Sequence, residues 1–214
     1  CGCPRRGGAA PLPLTFGEFD RGGARWSPDG ERIAFISNEH GNSSLVVRDA
    51  VGGRETPIVA RMRRYKSPPA RLTLDIRDEN GRSVPARVAV LGADERAAAP
   101  EAGWMHADDG FDRTRQRTET HYFHCASPCS VDTPAGVASV WVQRGFRYLP
   151  WRQSVRLVRG AARNVRVDLQ LHDLPPSFGT WRSADLHVHM NYGGAYRNTP
   201  ENLARQARAE DLDV

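Results

Sequence analysis

The sequence predicts a mainly-β chain: a short β-meander, then an antiparallel β-sandwich, then a strand–helix step that opens an α/β layer. Three observations carry this. Turns rich in Pro, Asn and Gly separate short runs of alternating apolar and polar residues over much of the chain. Two Pro-Pro pairs, Pro68-Pro69 and Pro175-Pro176, divide those runs into blocks, because consecutive prolines continue neither strand nor helix. A helix start then follows at Thr199-Pro200-Glu201, with Thr as N-cap, Pro at the first helical position and an acid in the first turn.

Composition sets bounds. A chain of 214 residues, 39% hydrophobic and 26% charged, fits one to two globular domains. No apolar run approaches the ~20 residues of a membrane helix, so no membrane span is expected. No charged-then-apolar leader opens the sequence. The first residue is Cys1, and the chain reads as a fragment or a processed product. The net charge is +5, carried almost wholly by arginine, since Lys66 is the one lysine. Its densest basic run, residues 61–66, lies beside Pro68-Pro69 and reads as a solvated linker, so no nucleic-acid partner is expected. The cysteines fall in two close pairs, Cys1/Cys3 and Cys125/Cys129, which neither demand nor exclude an oxidising compartment.

Taken in order, residues 1–13 are an irregular Gly/Pro/Arg-rich tail. Residues 14–66 hold the turn Trp26-Ser27-Pro28-Asp29-Gly30, a strand at Arg32–Ser37, a turn at 38–42, a strand at Ser44–Asp49, the turn Val51-Gly52-Gly53 and a third strand at 56–60. This order resembles one repeat of a TolB-type β-propeller. A propeller needs about four to eight blades. The resemblance therefore implies further blades upstream, and it favours a periplasmic or secreted location.

Residues 67–174 alternate clearly. Leu72, Leu74 and Ile76 share one face of a strand at 71–77; Asn80-Gly81 is a hairpin signal, with 85–91 as the return strand. Strands follow at 137–142, 151–158 and 164–171, the last with Val165, Val167, Leu169 and Leu171 inward. This density of short strands predicts an antiparallel sandwich. The stretch D-E-N-G-R-S-V-P-A-R-V at 78–88, with T-P-A-G and R-G-F-R-Y further on, resembles a carboxypeptidase-regulatory or transthyretin-like sandwich. That likeness implies an accessory domain without chemistry of its own.

Residues 175–214 carry the chemistry. A strand at 183–190 places His187 and His189 on one face, with Cα atoms about 6–7 Å apart. Two neutral imidazoles at that span can chelate one metal ion. Asp185 shares the face and could orient an imidazole from behind. His-x-His by itself also fits an ordinary surface strand. The fuller stretch D-L-H-V-H-M-N-Y-G-G at 185–194 resembles the first motif of the PHP (polymerase and histidinol phosphatase) superfamily, and more closely its large carbaryl-hydrolase (CehA/McbA) type. After a loop at 191–198, the helix runs to about Glu210 with Leu203 and Ala207 on one side, and 211–214 begins another strand.

The resemblance implies the first βα unit of a truncated α/β barrel, with His187 and His189 as first ligands of a divalent metal (Zn, Mn or Fe). It also implies a small-molecule ester, amide or phosphoester substrate attacked by metal-activated water. The family's later ligands have no counterpart before Val214, so this chain alone is expected to be inactive. The reading from another class is a non-catalytic module whose propeller and sandwich surfaces bind a protein partner or glycan.

Two lesser clusters complete the survey. His121, His124, Cys125 and Cys129 suggest zinc by residue type, yet match no common zinc spacing; the cysteines are either free or bridged across Pro128. His106, Asp108, Asp109 and Asp112 suggest a hard cation but lack a calcium-loop pattern, and read as a solvated loop. No phosphate loop and no G-x-S-x-G elbow occur.

Overall fold

The computed structural model describes residues 13–107, 114, 121–173, 175, 177, 179–192 and 196–213. The chain divides into two compact units, one of Cys1–Arg63 with His189–Thr199 and one of Arg64–Val188 with Pro200–Val214. The described residues are mainly β, with one helix. Among them no helix is long and apolar enough to cross a membrane.

The first unit is a four-stranded antiparallel meander: β1 (Arg21–Trp26), β2 (Arg32–Ser37), β3 (Ser44–Asp49) and β4 (Glu55–Ile58), in that order. The expected strands at Arg32–Ser37 and Ser44–Asp49 lie where sequence put them, and the third spans 55–58 rather than 56–60. β1 was not foreseen, because Arg-Gly-Gly-Ala-Arg-Trp has no apolar alternation. It forms by pairing with the edge of β2, and its register shifts between Gly22 and Arg25. Gly30 closes the preceding turn with φ near +74°, a conformation that favours glycine. The core is thin: Ile33, Phe35 and Val46, packed with Leu14. Ile36, Leu45 and Ile58 stand opposite one another across β2, β3 and β4 on the other face, and are exposed. Arg21 bonds Glu39 at 3.0 Å and Glu55 at 2.6 Å, and Arg48 also reaches Glu55. Burial alone would raise the Glu55 carboxyl; the two guanidiniums outweigh it and hold the group low.

The second unit is a two-sheet sandwich. Its strands are β5 (Ala70–Arg77), β6 (Ala86–Leu91), β7 (Ala97–Ala98), β8 (His106–Ala107), β9 (His121–Cys125), β10 (Cys129–Thr133), β11 (Gly136–Gln143), β12 (Trp151–Leu157) and β13 (Ala162–Asp168). One sheet runs β10-β5-β13; the other runs β12-β11-β6-β9-β8, with β7 on β6. Ala70, Leu72, Leu74 and Ile76 of β5 are fully buried, as the alternation predicts. They meet Val88, Val90, Phe123, Val140 and Val142 in one continuous core.

Three local expectations are corrected. Asn80-Gly81 turns the chain, but β5 and β6 do not pair as a hairpin; they lie in different sheets. The Asp78 carboxylate accepts the backbone N–H of Asn80 and of Arg82, and a single bridge, Arg77 to Ser83, follows. Pro85 has no N–H to extend a ladder, so the chain crosses to the other sheet before β6 begins. β13 runs parallel to β5, in a sandwich otherwise antiparallel in its pairings. Leu171 is 48% exposed, because the strand ends at Asp168 and burial stops with Leu169.

The expected strand–helix–strand step is realised only in its helix. Helix α1 (Pro200–Ala209) forms, whereas 183–190 and 211–213 carry no ladder. The two segments meet through one backbone bond, from Asp213 N–H to the Ser183 carbonyl at 2.8 Å. A parallel strand needs neighbours in a sheet covered on both faces, and segment 184–190 is exposed throughout. The expected loop at 191–198 contains a small hairpin of β14 (Asn191–Tyr192) and β15 (Tyr196–Arg197), which belongs to the first unit and is tied to it by Arg197 N–H to the Gly41 carbonyl at 2.8 Å.

Leu74→Ala should lower the unfolding free energy by about 2–5 kcal/mol and Phe123→Ala by about 3–5 kcal/mol. Leu171→Ala should change it by no more than about 0.5 kcal/mol. Urea denaturation followed by far-UV circular dichroism reads all three.

Candidate functional site

The segment carrying Asp185, His187 and His189 is irregular backbone with all three side chains exposed. Without a strand, the shared-face spacing of the two imidazoles has no geometric basis in pleating. Asp185 Oδ1 accepts the backbone N–H of His187 at 3.0 Å, a local turn of the kind aspartate favours. The segment is anchored at its base. Ser183 N–H donates to Asp213 Oδ2 at 3.0 Å, and Ser183 Oγ donates to the Asp211 carbonyl. That backbone bond, with the nearby Arg147 and Arg182, holds the Asp213 carboxyl below its ordinary range.

The two imidazoles are donors of the right chemistry for a divalent ion. Among the described residues, however, no group of three or more His, Cys, Asp or Glu side chains is arranged to hold one. His187 and His189 thus offer ligand chemistry, and no described geometry brings them together around an ion.

The second cluster resolves differently from either zinc or free thiols. Cys125 and Cys129 form a disulfide with Cα atoms 5.7 Å apart, so neither sulfur is available as a thiolate ligand. Along β9, Phe123 and Cys125 point into the core, while Tyr122 and His124 point out toward α1. Asp108, Asp109 and Asp112 lie outside the described residues, as do Cys1 and Cys3. His106 is not a loop ligand: it is buried, 6% exposed, and stacked on Tyr122 at 5.2 Å between ring centroids.

These side chains belong to a polar cluster between α1 and the larger sheet. His106 meets the His124 ring edge-on at 5.1 Å. Glu210 Oε1 accepts from His124 Nε2 at 2.8 Å and from Arg87 Nε at 2.7 Å. The Arg87 guanidinium also lies over the Tyr122 ring, 4.2 Å from its centroid. Burial would raise the Glu210 carboxyl, but the bonds from His124 and Arg87 prevail and hold it low. Burial, aided by the positive charge of His124 and Arg87, pushes His106 down to about 4. The partners lie 86 and 123 residues from Glu210, so no local pattern reveals the cluster. The one sequence hint is the outward pair Tyr122 and His124 on a strand whose alternate residues are core.

The end of α1 is a second polar junction. Asp211 sits at φ 56°, and Leu212 N–H bonds the Ala207 carbonyl while Asp211 N–H bonds that of Arg208, the Schellman pattern of a helix stop. Asp211 is held there by Arg144 at 2.8 Å and Arg147 at 2.6 Å. Arg144 also donates to the Arg208 carbonyl, which thereby accepts a second bond beside that from Asp211.

No family model and no curated protein matches the chain. Among solved structures it is similar to GBS52, the minor pilin of the Gram-positive pathogen Streptococcus agalactiae, at 10% identity and a TM-score of 0.35. The match covers 70% of this chain and 63% of the pilin, and a likeness of that order carries no argument about chemistry.

The cluster under α1 makes the sandwich unit sensitive to acid. His106 titrates near 6.5 when unfolded and near about 4 when folded, so the unfolded chain takes up its proton first. Its contribution is full above pH 6.5, declines as pH falls, and is gone below about 4. Glu210, held below its ordinary 4.5, adds a further loss below that value. His106→Phe keeps a ring against Tyr122 but cannot titrate. The fall in the urea midpoint between about pH 7.5 and about pH 5 should be clearly smaller in this variant than in the wild type.

Proposed function

We propose that His187 and His189 are two ligands of a divalent-metal site belonging to a metal-dependent hydrolase, and that the blade and sandwich are its accessory modules. The observation that carries this reading is the sequence D-L-H-V-H-M-N-Y-G-G at 185–194, placed directly before a helix that opens with Thr199-Pro200-Glu201. Exposure of both imidazoles supports it, since neither ring is consumed by a core. A bound ion would polarise an ester, amide or phosphoester and lower the pKa of its water. In this reading the chain's own residues do two things. The imidazoles bind the ion, and the Asp185 carboxylate fixes the turn that presents them. The remaining ligands are supplied from outside the described residues. The Cys125–Cys129 bridge supports an oxidising compartment, such as the periplasm or the exterior.

The test is metal content, not turnover. The intact protein, which carries the remaining ligands together with His187 and His189, is loaded with Zn²⁺, Mn²⁺ or Fe²⁺, passed through a desalting column and measured by plasma mass spectrometry. His187→Ala and His189→Ala should each lose the retained metal, and His172→Ala should keep it. Equal retention by the His187→Ala/His189→Ala double variant, or no retention by the wild type, would overturn the assignment.

A further inference from the structure

The two sheets of the sandwich end on one side in strands whose outer edges pair with no other strand among the described residues. β12 is the last strand of the larger sheet and β13 of the smaller, and the turn at 158–161 joins them. Between them lies an open groove of about 510 Å³, with Val155 and Val165 toward the core and Gln153, Arg156, Arg163 and Arg166 along its sides. An unpaired edge presents N–H and C=O groups at strand spacing, ready to accept another strand. Seven residues of β12 offer roughly 23 Å of it.

The charge around this edge is one-sided. Arg152, Arg156, Arg159 and Arg163 are all exposed, and none makes an ion pair or side-chain hydrogen bond with a described residue. Arg166 alone has a carboxylate, Asp168 at 2.7 Å. Along β12, Arg152, Ser154 and Arg156 share the outer face, while Gln153, Val155 and Leu157 face the seam. A second copy of the chain pairing here would set guanidinium against guanidinium, which opposes self-association. A single-stranded nucleic acid would want stacking aromatics, and no aromatic side chain lines the groove.

We propose that the β12 edge is a docking surface for an extended acidic segment of a partner protein. The segment adds as a strand to β12, its alternate carboxylates meeting Arg152 and Arg156 and its intervening small apolar side chains entering the groove beside Arg163. This surface is independent of the metal reading, because its test involves neither His187 nor His189.

The probe is a fluorescein-labelled ten-residue peptide alternating Glu with Val and Thr, titrated with the full chain and read by anisotropy. Saturable binding is expected, weakened about tenfold or more by Arg156→Glu and further by Arg152→Glu/Arg156→Glu. It should be lost when alternate peptide nitrogens are N-methylated, which keeps the charge and removes the strand hydrogen bonds. Arg156→Gln, a milder change, should weaken binding with an unaltered urea midpoint. A Lys-for-Glu peptide should not bind. The proposal fails if no saturation is seen or if the N-methylated peptide binds equally well. It fails likewise if a single-stranded oligonucleotide of equal charge binds as tightly, or if the chain self-associates in a manner that Arg156→Glu abolishes.

Discussion

Strand β5 is the member on which the sandwich depends. Ala70, Leu72, Leu74 and Ile76 present a fully buried face, and the strand pairs on both sides, with β10 antiparallel and β13 parallel. Across the core stand mostly valines and alanines, with Phe123 as the largest fully buried side chain. Each fully buried aliphatic or aromatic side chain stabilises by about 1.5–3 kcal/mol, so this face dominates the unit. The four-stranded meander has three buried apolar residues and relies more on ion pairs around Arg21 and Glu55. Partly exposed pairs contribute about 0.2–1 kcal/mol each. Unequal stability between the two units follows from that contrast.

What the sequence revealed was local. The Trp26–Gly30 turn, the alternation through Leu72, Leu74 and Ile76, and the Thr199-Pro200-Glu201 start each rest on a few adjacent residues, and each produced the element it announced. What stayed hidden depends on distant partners. β1 has no apolar pattern and exists through the edge of β2. Asn80-Gly81 signals a turn, but whether the chain pairs back or crosses over is decided by Pro85 and by the sheet waiting beyond it. The parallel placement of β13 has no signature in its own residues.

The histidine segment shows the same division. Its residue types are read directly from Asp185, His187 and His189, yet among the described residues no strand pairs with the segment to give them a common face. The cluster of His106, Tyr122, His124, Arg87 and Glu210 is the converse case. Its geometry is closely defined, and nothing in the order of the residues announces it. Alternation marks which strand faces are wet; it does not say what covers a polar face.

The helix stop at Asp211 bears on the order in which the chain is assembled. A ten-residue helix is too short to persist alone in water. This one is held at Glu210, just past its last residue, by Arg87 and His124, and at Asp211 by Arg144 and Arg147, all supplied by earlier sandwich segments. A chain emerging from its N-terminus must therefore close the sandwich before α1 has anything to fold against. The helix is then a late passenger on a finished template, and its stop at Asp211 is set by that template rather than by the helix itself.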